Sequence, residues 1–309
     1  MLQNIFIFAC SLALVIKGAT FATKYASRLA KSFHLSKYTV GFIVVAIISI
    51  LPETFIAINS ALTGMPSFGL GVLFGSNIAD LTLVFTVILL FAGRRIKIES
   101  KVIDRNKVYS FFLLLPVILG LDGYFSRLEG LALIIVGAVF YYMVFRNDAS
   151  TAVAGNSDHS WYKSLILLVV GMAVLLIGSY FTVISALALA QAFNINPILI
   201  GMLVVGLGTT IPELFFALKA VRKKDDSLAV GDVLGTVLAD ATIVVGILAL
   251  LNPFSFPQKI IYITGVFMVL ASAILLIFMR SGKVLSRKEG IGLLFFWLAF
   301  VFIEFWFNK

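Results

Sequence analysis

Four acidic residues sit inside stretches that are otherwise apolar: Glu53, Asp80, Glu213 and Asp240. Each glutamate follows a proline, Pro52 or Pro212, and each aspartate closes a Gly-x-x-x-Ala-Asp string that begins at Gly75 or Gly235. The step from Glu to Asp is 27 residues in both copies, and the copies lie 160 residues apart. The surroundings correspond as well. GFIVVAIISILPETFIA from Gly41 and GVLFGSNIADLTLV from Gly71 return as GMLVVGLGTTIPELFFA from Gly201 and GDVLGTVLADATIV from Gly231. A charge inside a membrane is costly and is a functional site by default. Four such acids, duplicated in register, point to one ion site shared by two halves.

The neighbours have oxygen chemistry too. A proline within a helix removes a hydrogen bond and disturbs the preceding turn, so carbonyls are freed just before each glutamate. Broken backbone at membrane depth is tolerated where it lines a cavity or is buried in protein. Ser49, Thr209 and Thr210 supply hydroxyls beside the Pro-Glu pairs. Ser76 and Thr236 stand four residues before Asp80 and Asp240, on the same helix face. A dehydrated set of carboxylates, hydroxyls and carbonyls suits calcium, which takes about 6–8 oxygens in irregular geometry; sodium uses the same oxygens. The single cysteine, Cys10, and the two histidines, His34 and His159, give no soft or nitrogen cluster for zinc or copper.

The elements that hold these residues must be membrane-spanning helices. The chain has 309 residues, 61% of them hydrophobic, which fits a polytopic helical membrane protein. The first apolar segment has no charged leader and no small-residue cleavage site, and it reads as a mature span. Apolar runs place ten spans at about 2–22, 39–63, 68–92, 108–122, 126–145, 164–191, 198–220, 227–251, 259–279 and 289–307. The polar, small-residue stretch 146–162 reads as a linker. This divides the chain into a first five-helix repeat, 1–145, a cytoplasmic linker, 146–162, and a second five-helix repeat, 163–309.

Charge sets the orientation. The formal net charge is +9, and 20 of the 24 Lys and Arg fall on one side of the ten-span arrangement. That side is cytoplasmic by the positive-inside rule, both termini face outward, and the excess needs no nucleic-acid partner. Five spans per half is an odd number, so the halves enter the bilayer from opposite sides, as in many secondary transporters. The fold expected is an all-α membrane protein of two inverted five-helix repeats with an ion site at mid-membrane. Gly71, Gly75, Gly231 and Gly235 let helices approach closely. Lys17, opposite Ile177 in the second half, reads as a snorkelling cation.

The paired motifs resemble the alpha-repeats of the cation/calcium exchanger superfamily, above all the prokaryotic sodium/calcium exchangers. The family pattern is Gly-Thr-Ser-x-Pro-Glu, then Gly-Asn-x-x-Gly-Ser-Asn-x-x-Asn or Asp. The resemblance implies that Glu53 and Glu213 are the central calcium ligands, with Asp80 and Asp240 beside them. It implies that Ser49, Thr209, Thr210, Ser76 and Thr236, with backbone carbonyls near Ala46 and Gly206, serve sodium. The chain departs from the pattern at Ile50, which lacks a hydroxyl, and at Val72, Asp232 and Val237, which replace asparagines. Aspartate at both Asp80 and Asp240 makes the site more anionic than patterns with asparagine at one of them.

The function expected is a secondary antiporter in the cell membrane that exports calcium against sodium influx by alternating access. It is not an enzyme, has no cofactor, and needs no obligate protein partner. A calcium/proton antiporter and a potassium-dependent sodium/calcium exchanger are the alternatives. An acidic-ring channel fits poorly with inverted repeats. An intramembrane aspartyl protease would leave the second Pro-Glu copy without a role.

Overall fold

The computed structural model describes residues 2–30, 42, 45–98, 109–146 and 161–307. The start of the second expected span, most of the linker, His34 and His159 lie outside the described residues.

The described chain is helical almost throughout. In order come α1 (Leu2–Ala30), α2 (Ala46–Ser49), α3 (Leu51–Leu62), α4 (Pro66–Ala79), α5 (Phe85–Phe91), α6 (Tyr109–Leu119), α7 (Arg127–Arg146), α8 (Trp161–Phe193), α9 (Pro197–Ile200), α10 (Gly206–Thr209), α11 (Ile211–Arg222), α12 (Asp226–Ala239), α13 (Val245–Leu251), α14 (Val266–Arg280) and α15 (Arg287–Phe307). Among the described residues, eight helical runs are long and apolar enough to cross a membrane, and the apolar helix Tyr109–Asp122 is shorter. The exposed side chains of α15 include Phe295, Phe302 and Trp306, large apolar groups that suit contact with lipid.

Four two-residue strands join helices without changing the all-α class. β1 (Ile96–Lys97) pairs antiparallel with β4 (Val284–Leu285), and β2 (Tyr124–Phe125) pairs antiparallel with β3 (Phe254–Ser255). They lie between helices, where backbone groups have no helical partner and pair with each other instead.

The 160-residue interval visible in the sequence is also an interval between elements. α3, α4 and α5 return as α11, α12 and α13 with the same lengths. Between α4 and α5, and again between α12 and α13, lies a single π-helical turn, Asp80–Val84 and Asp240–Val244. The cause is local. Thr82 and Thr242 donate their hydroxyls to Ile78 and Leu238, four residues back, and such back-bonding competes with the α ladder.

The long runs Pro66–Phe91 and Asp226–Leu251 form the centre, with 89% and 83% of their apolar windows buried, against 22% for Arg287–Phe307. Around this centre α1 packs on α8 through Val15, Ala19 and Ala22 against Leu175, Val183 and Ala186.

The first central run has two well-marked ends, roughly 39 Å apart at 1.5 Å per residue. Near Phe91, the Arg94 guanidinium donates to the Val221 carbonyl at 2.8 Å and grips the Asp226 carboxylate, with Nη1 at 2.7 Å from Oδ2. Near Pro66, the Asn252 amide donates to the Ala61 carbonyl at 3.0 Å.

Candidate functional site

Each Pro-Glu pair sits where one helix stops and the next starts. α2 gives way to α3 at Ile50, and α10 gives way to α11 at Thr210. Pro52 and Pro212 have no N–H to offer the carbonyls of Ile48 and Gly208, so the ladder breaks there. Glu53 and Glu213 follow in the first turns of α3 and α11, each 1% exposed. The carbonyls of Ala46 and Gly206 lie one turn earlier, where they accept the N–H groups of Ile50 and Thr210 at 3.0 and 3.2 Å. The Ala46 carbonyl keeps a second lone pair for a further partner. Thr209 adds its hydroxyl to the Gly206 carbonyl at 2.9 Å.

The aspartates reach the same region through glycine. Gly75 packs against the main chain of Met202, and its equivalent Gly235 packs against the carbonyl of Phe42. A β-carbon at either position would overlap that backbone. Phe42 and Met202 are themselves 160 residues apart. Each Asp-bearing helix therefore lies on the Glu-bearing segment of the opposite half. Gly71 and Gly75 join the third expected span to the seventh, and Gly235 joins the eighth to the second.

This crossing interleaves the acids. α3, which carries Glu53, lies against the turn Asp240–Val244, and α11, which carries Glu213, lies against the turn Asp80–Val84. Neither oxygen of Glu53, Asp80, Glu213 or Asp240 has a hydrogen-bond partner, though all four residues are buried. Buried polar groups are normally satisfied, and an orphaned carboxylate calls for a proton, a water or an ion as its partner. Among the described residues, no three acidic, histidine or cysteine side chains gather within reach of a single metal ion. A cation at this depth would draw on hydroxyls and carbonyls as well as carboxylates.

The hydroxyls are disposed for that. Ser76 donates to Leu73, and Thr210 to Leu207, at 3.0 and 2.9 Å. Giving the proton back to the helix leaves lone pairs free to face a cation. Ser76, Thr209 and Thr236 are fully buried, Thr210 is 4% exposed, and the Thr236 hydroxyl has no partner. Ser49 differs: it donates to Asp232 at 3.1 Å.

Asp232 is the residue that the sequence motifs marked only as a departure from asparagine. It is fully buried, and its Oδ2 has no partner. The signal was its place four residues before Thr236 and eight before Asp240, on one helix face. Asn77 is also buried with an unpartnered Oδ1. Glu304 is a further buried carboxyl that the sequence motifs do not mark; on α15, it accepts the Thr264 hydroxyl at 2.5 Å.

A lipid-facing helical bundle with broken helices and unpaired carboxylates at its centre defines a membrane cation transporter, not an enzyme. The chain belongs to the sodium/calcium exchanger protein family, whose model matches residues 3–146 and again 163–306. It is 25% identical over 351 residues to the sodium/calcium exchanger MaX1 of Methanosarcina acetivorans, covering 98% of this chain and 99% of that one. It is 26% identical over 257 residues to the inner membrane protein YrbG of Escherichia coli strain K12, covering 78% of each. The fold matches a solved structure of the sodium-calcium exchanger NCX_Mj with a TM-score of 0.73, at 24% identity, over 96% of this chain and 97% of that one.

Proposed function

We propose that this protein is a calcium antiporter of the cell membrane, exporting calcium against inward sodium by alternating access. The observation that carries the reading is the set of buried, unpartnered carboxylates contributed by both halves: Glu53 and Asp80 from one, Glu213 and Asp240 from the other. A doubly charged ion leaving water needs such charge, and calcium accepts the irregular oxygen shell. Glu53 and Glu213 act as its central ligands, flanked by Asp80 and Asp240. The hydroxyls of Ser49, Ser76, Thr209, Thr210 and Thr236 and the carbonyls of Ala46 and Gly206 serve sodium. That a relative covering nearly the whole chain is named a sodium/calcium exchanger supports the choice of ions.

Ten spans in two inverted repeats, 1–145 and 163–309 around a cytoplasmic linker, are the arrangement this mechanism uses. The end contacts support it. Ala61 and Val221 are equivalent by the 160-residue interval, yet Asn252 holds one near Pro66 and Arg94 holds the other near Phe91. The basic flanks put the Arg94 end in the cytoplasm and both termini outside.

The test is calcium flux in proteoliposomes under sodium, potassium or proton gradients imposed one at a time. A sodium gradient alone, with pH clamped, drives calcium if the reading holds; calcium moved by no gradient overturns antiport. One observation favours calcium/proton exchange as a second reading. Ile50 has no hydroxyl where the second half has Thr210, so the first half offers one neutral oxygen fewer. Calcium driven by a pH gradient alone would choose it.

A further inference from the structure

Asp232 adds a carboxylate to the cluster with no counterpart in the other half, where Val72 stands. Three observations bear on its role. Its Oδ1 is anchored by the Ser49 hydroxyl at 3.1 Å. Its Oδ2 is buried, without a partner, on a residue with no solvent exposure. Its helix, α12, lies against α2, the short helix that leads into Glu53, so Asp232 sits beside the broken segment of the first half. The Ser49 hydrogen bond fixes the carboxylate plane and leaves Oδ2 as the free end. On the same helix face, Thr236 offers a buried hydroxyl that also lacks a partner.

We infer that Asp232, with Ser49 as its positioning residue, carries an additional site for a monovalent alkali cation beside the calcium ligands. The reasoning rests on the antiporter reading and extends it. Calcium meets two of the four charges on Glu53, Asp80, Glu213 and Asp240, and Asp232, a fifth buried carboxylate, raises the remaining excess by one, which one monovalent cation neutralises. Oxygen ligands of carboxylate and hydroxyl type suit sodium and potassium alike, and the geometry names the alkali class without choosing between them. The absence of a partner acid at Val72 makes the site one-sided, so it adds one cation and not two.

The experiment counts ions directly. Purified wild-type protein, calcium-free and held at fixed alkaline pH, is equilibrated with radiolabelled sodium, or with rubidium as a potassium stand-in, and the saturating stoichiometry is measured. D232N keeps an acceptor for Ser49 and removes the charge; D232E keeps the charge. The expected result is one fewer alkali cation bound at saturation in D232N, with D232E retaining the wild-type count. In flux assays the Hill coefficient for the same cation should fall by about one in D232N. Loss of only the sodium or only the rubidium count identifies the cation. An unchanged count in D232N overturns the proposal, as does a wild-type dependence on pH alone with no alkali cation bound at Asp232. If D232N does not yield monodisperse protein, D232S takes its place: loss of one cation in D232S with calcium binding intact supports the site, and an unchanged count overturns it. Wild-type protein that moves no calcium under any gradient overturns the antiporter reading instead, so the two failures are separable.

Discussion

Gly75 lies against the main chain of Met202, and 160 residues on, Gly235 lies against that of Phe42. The two contacts are equivalents, and they lock each Asp-bearing helix onto the opposite half. The first prediction follows from them. Gly75→Ala and Gly235→Ala each force a methyl group into backbone, at a cost of about 1–3 kcal/mol for overpacking. Both variants should melt at lower temperature in detergent and transport calcium poorly. Gly64→Ala, in a turn at positive φ with open space around it, is a useful contrast: it strains the backbone without touching this contact. A Gly75→Ala variant with wild-type melting and flux would show that the packing is slack.

The two glutamates should be individually essential. Glu53→Gln and Glu213→Gln keep the shape and remove a charge that calcium needs on leaving water. Each variant should insert and fold but lose calcium transport in proteoliposomes. Near-normal flux in either one would be incompatible with a site shared between the halves.

Thr210→Ala should weaken sodium dependence more than calcium binding. Its hydroxyl contributes a neutral oxygen, whereas calcium is met chiefly by charge. Its equivalent in the first half is Ile50, which has no hydroxyl to compensate. The check is the sodium concentration for half-maximal exchange, measured beside the calcium Kd. Equal shifts in the two would contradict the division of labour.

Protons should compete with calcium. The buried carboxylates have no hydrogen-bond partners, so a proton and a cation are rival ways to neutralise each one. Protonation removes the charge that holds calcium, so uptake falls as pH is lowered, and added calcium restores it. The measurement is the apparent calcium affinity across a pH series with the sodium gradient fixed. An affinity independent of pH through the acid range would refute the competition.

Arg94 should matter for stability and not for ion selectivity. It joins Asp226 and the Val221 carbonyl where two central segments meet, and Asp226 also accepts the Lys97 N–H at 3.0 Å. Hydrogen bonds to charged groups contribute about 1.5–3 kcal/mol when partly buried. Arg94→Gln should therefore lower the melting temperature by several degrees while leaving the sodium-to-calcium preference intact. A changed ion preference would tie this contact to the site itself.

The repeat was legible because it rests on residue identity, and polar residues cannot recur by chance at one interval in an apolar chain. The four buried acids were legible for the same reason, as charge in an apolar run has few bland explanations. Asp232 was harder to read. Its partner at the repeat interval is Val72, so symmetry argued against it, and its contact with Ser49 across the halves shows only in the structure. Glu304 was hidden because an acid near the end of a span reads as an interfacial residue; its burial depends on packing against Thr264. The π-helical turns depend on whether Thr82 and Thr242 turn inward, which sequence does not state. The choice of partner for Gly75 was also beyond reach, since a glycine marks close approach without naming what approaches.

The crossed packing has a consequence for the order in which the molecule is made. Residues 45–91 leave the ribosome long before residues 201–244, yet Gly75 has no surface to lie on until Met202 arrives. Until then Glu53 and Asp80 belong to a half with its central faces uncovered. That half waits while the remainder is synthesised, and the four acids come together only as the last of them, Asp240, is delivered.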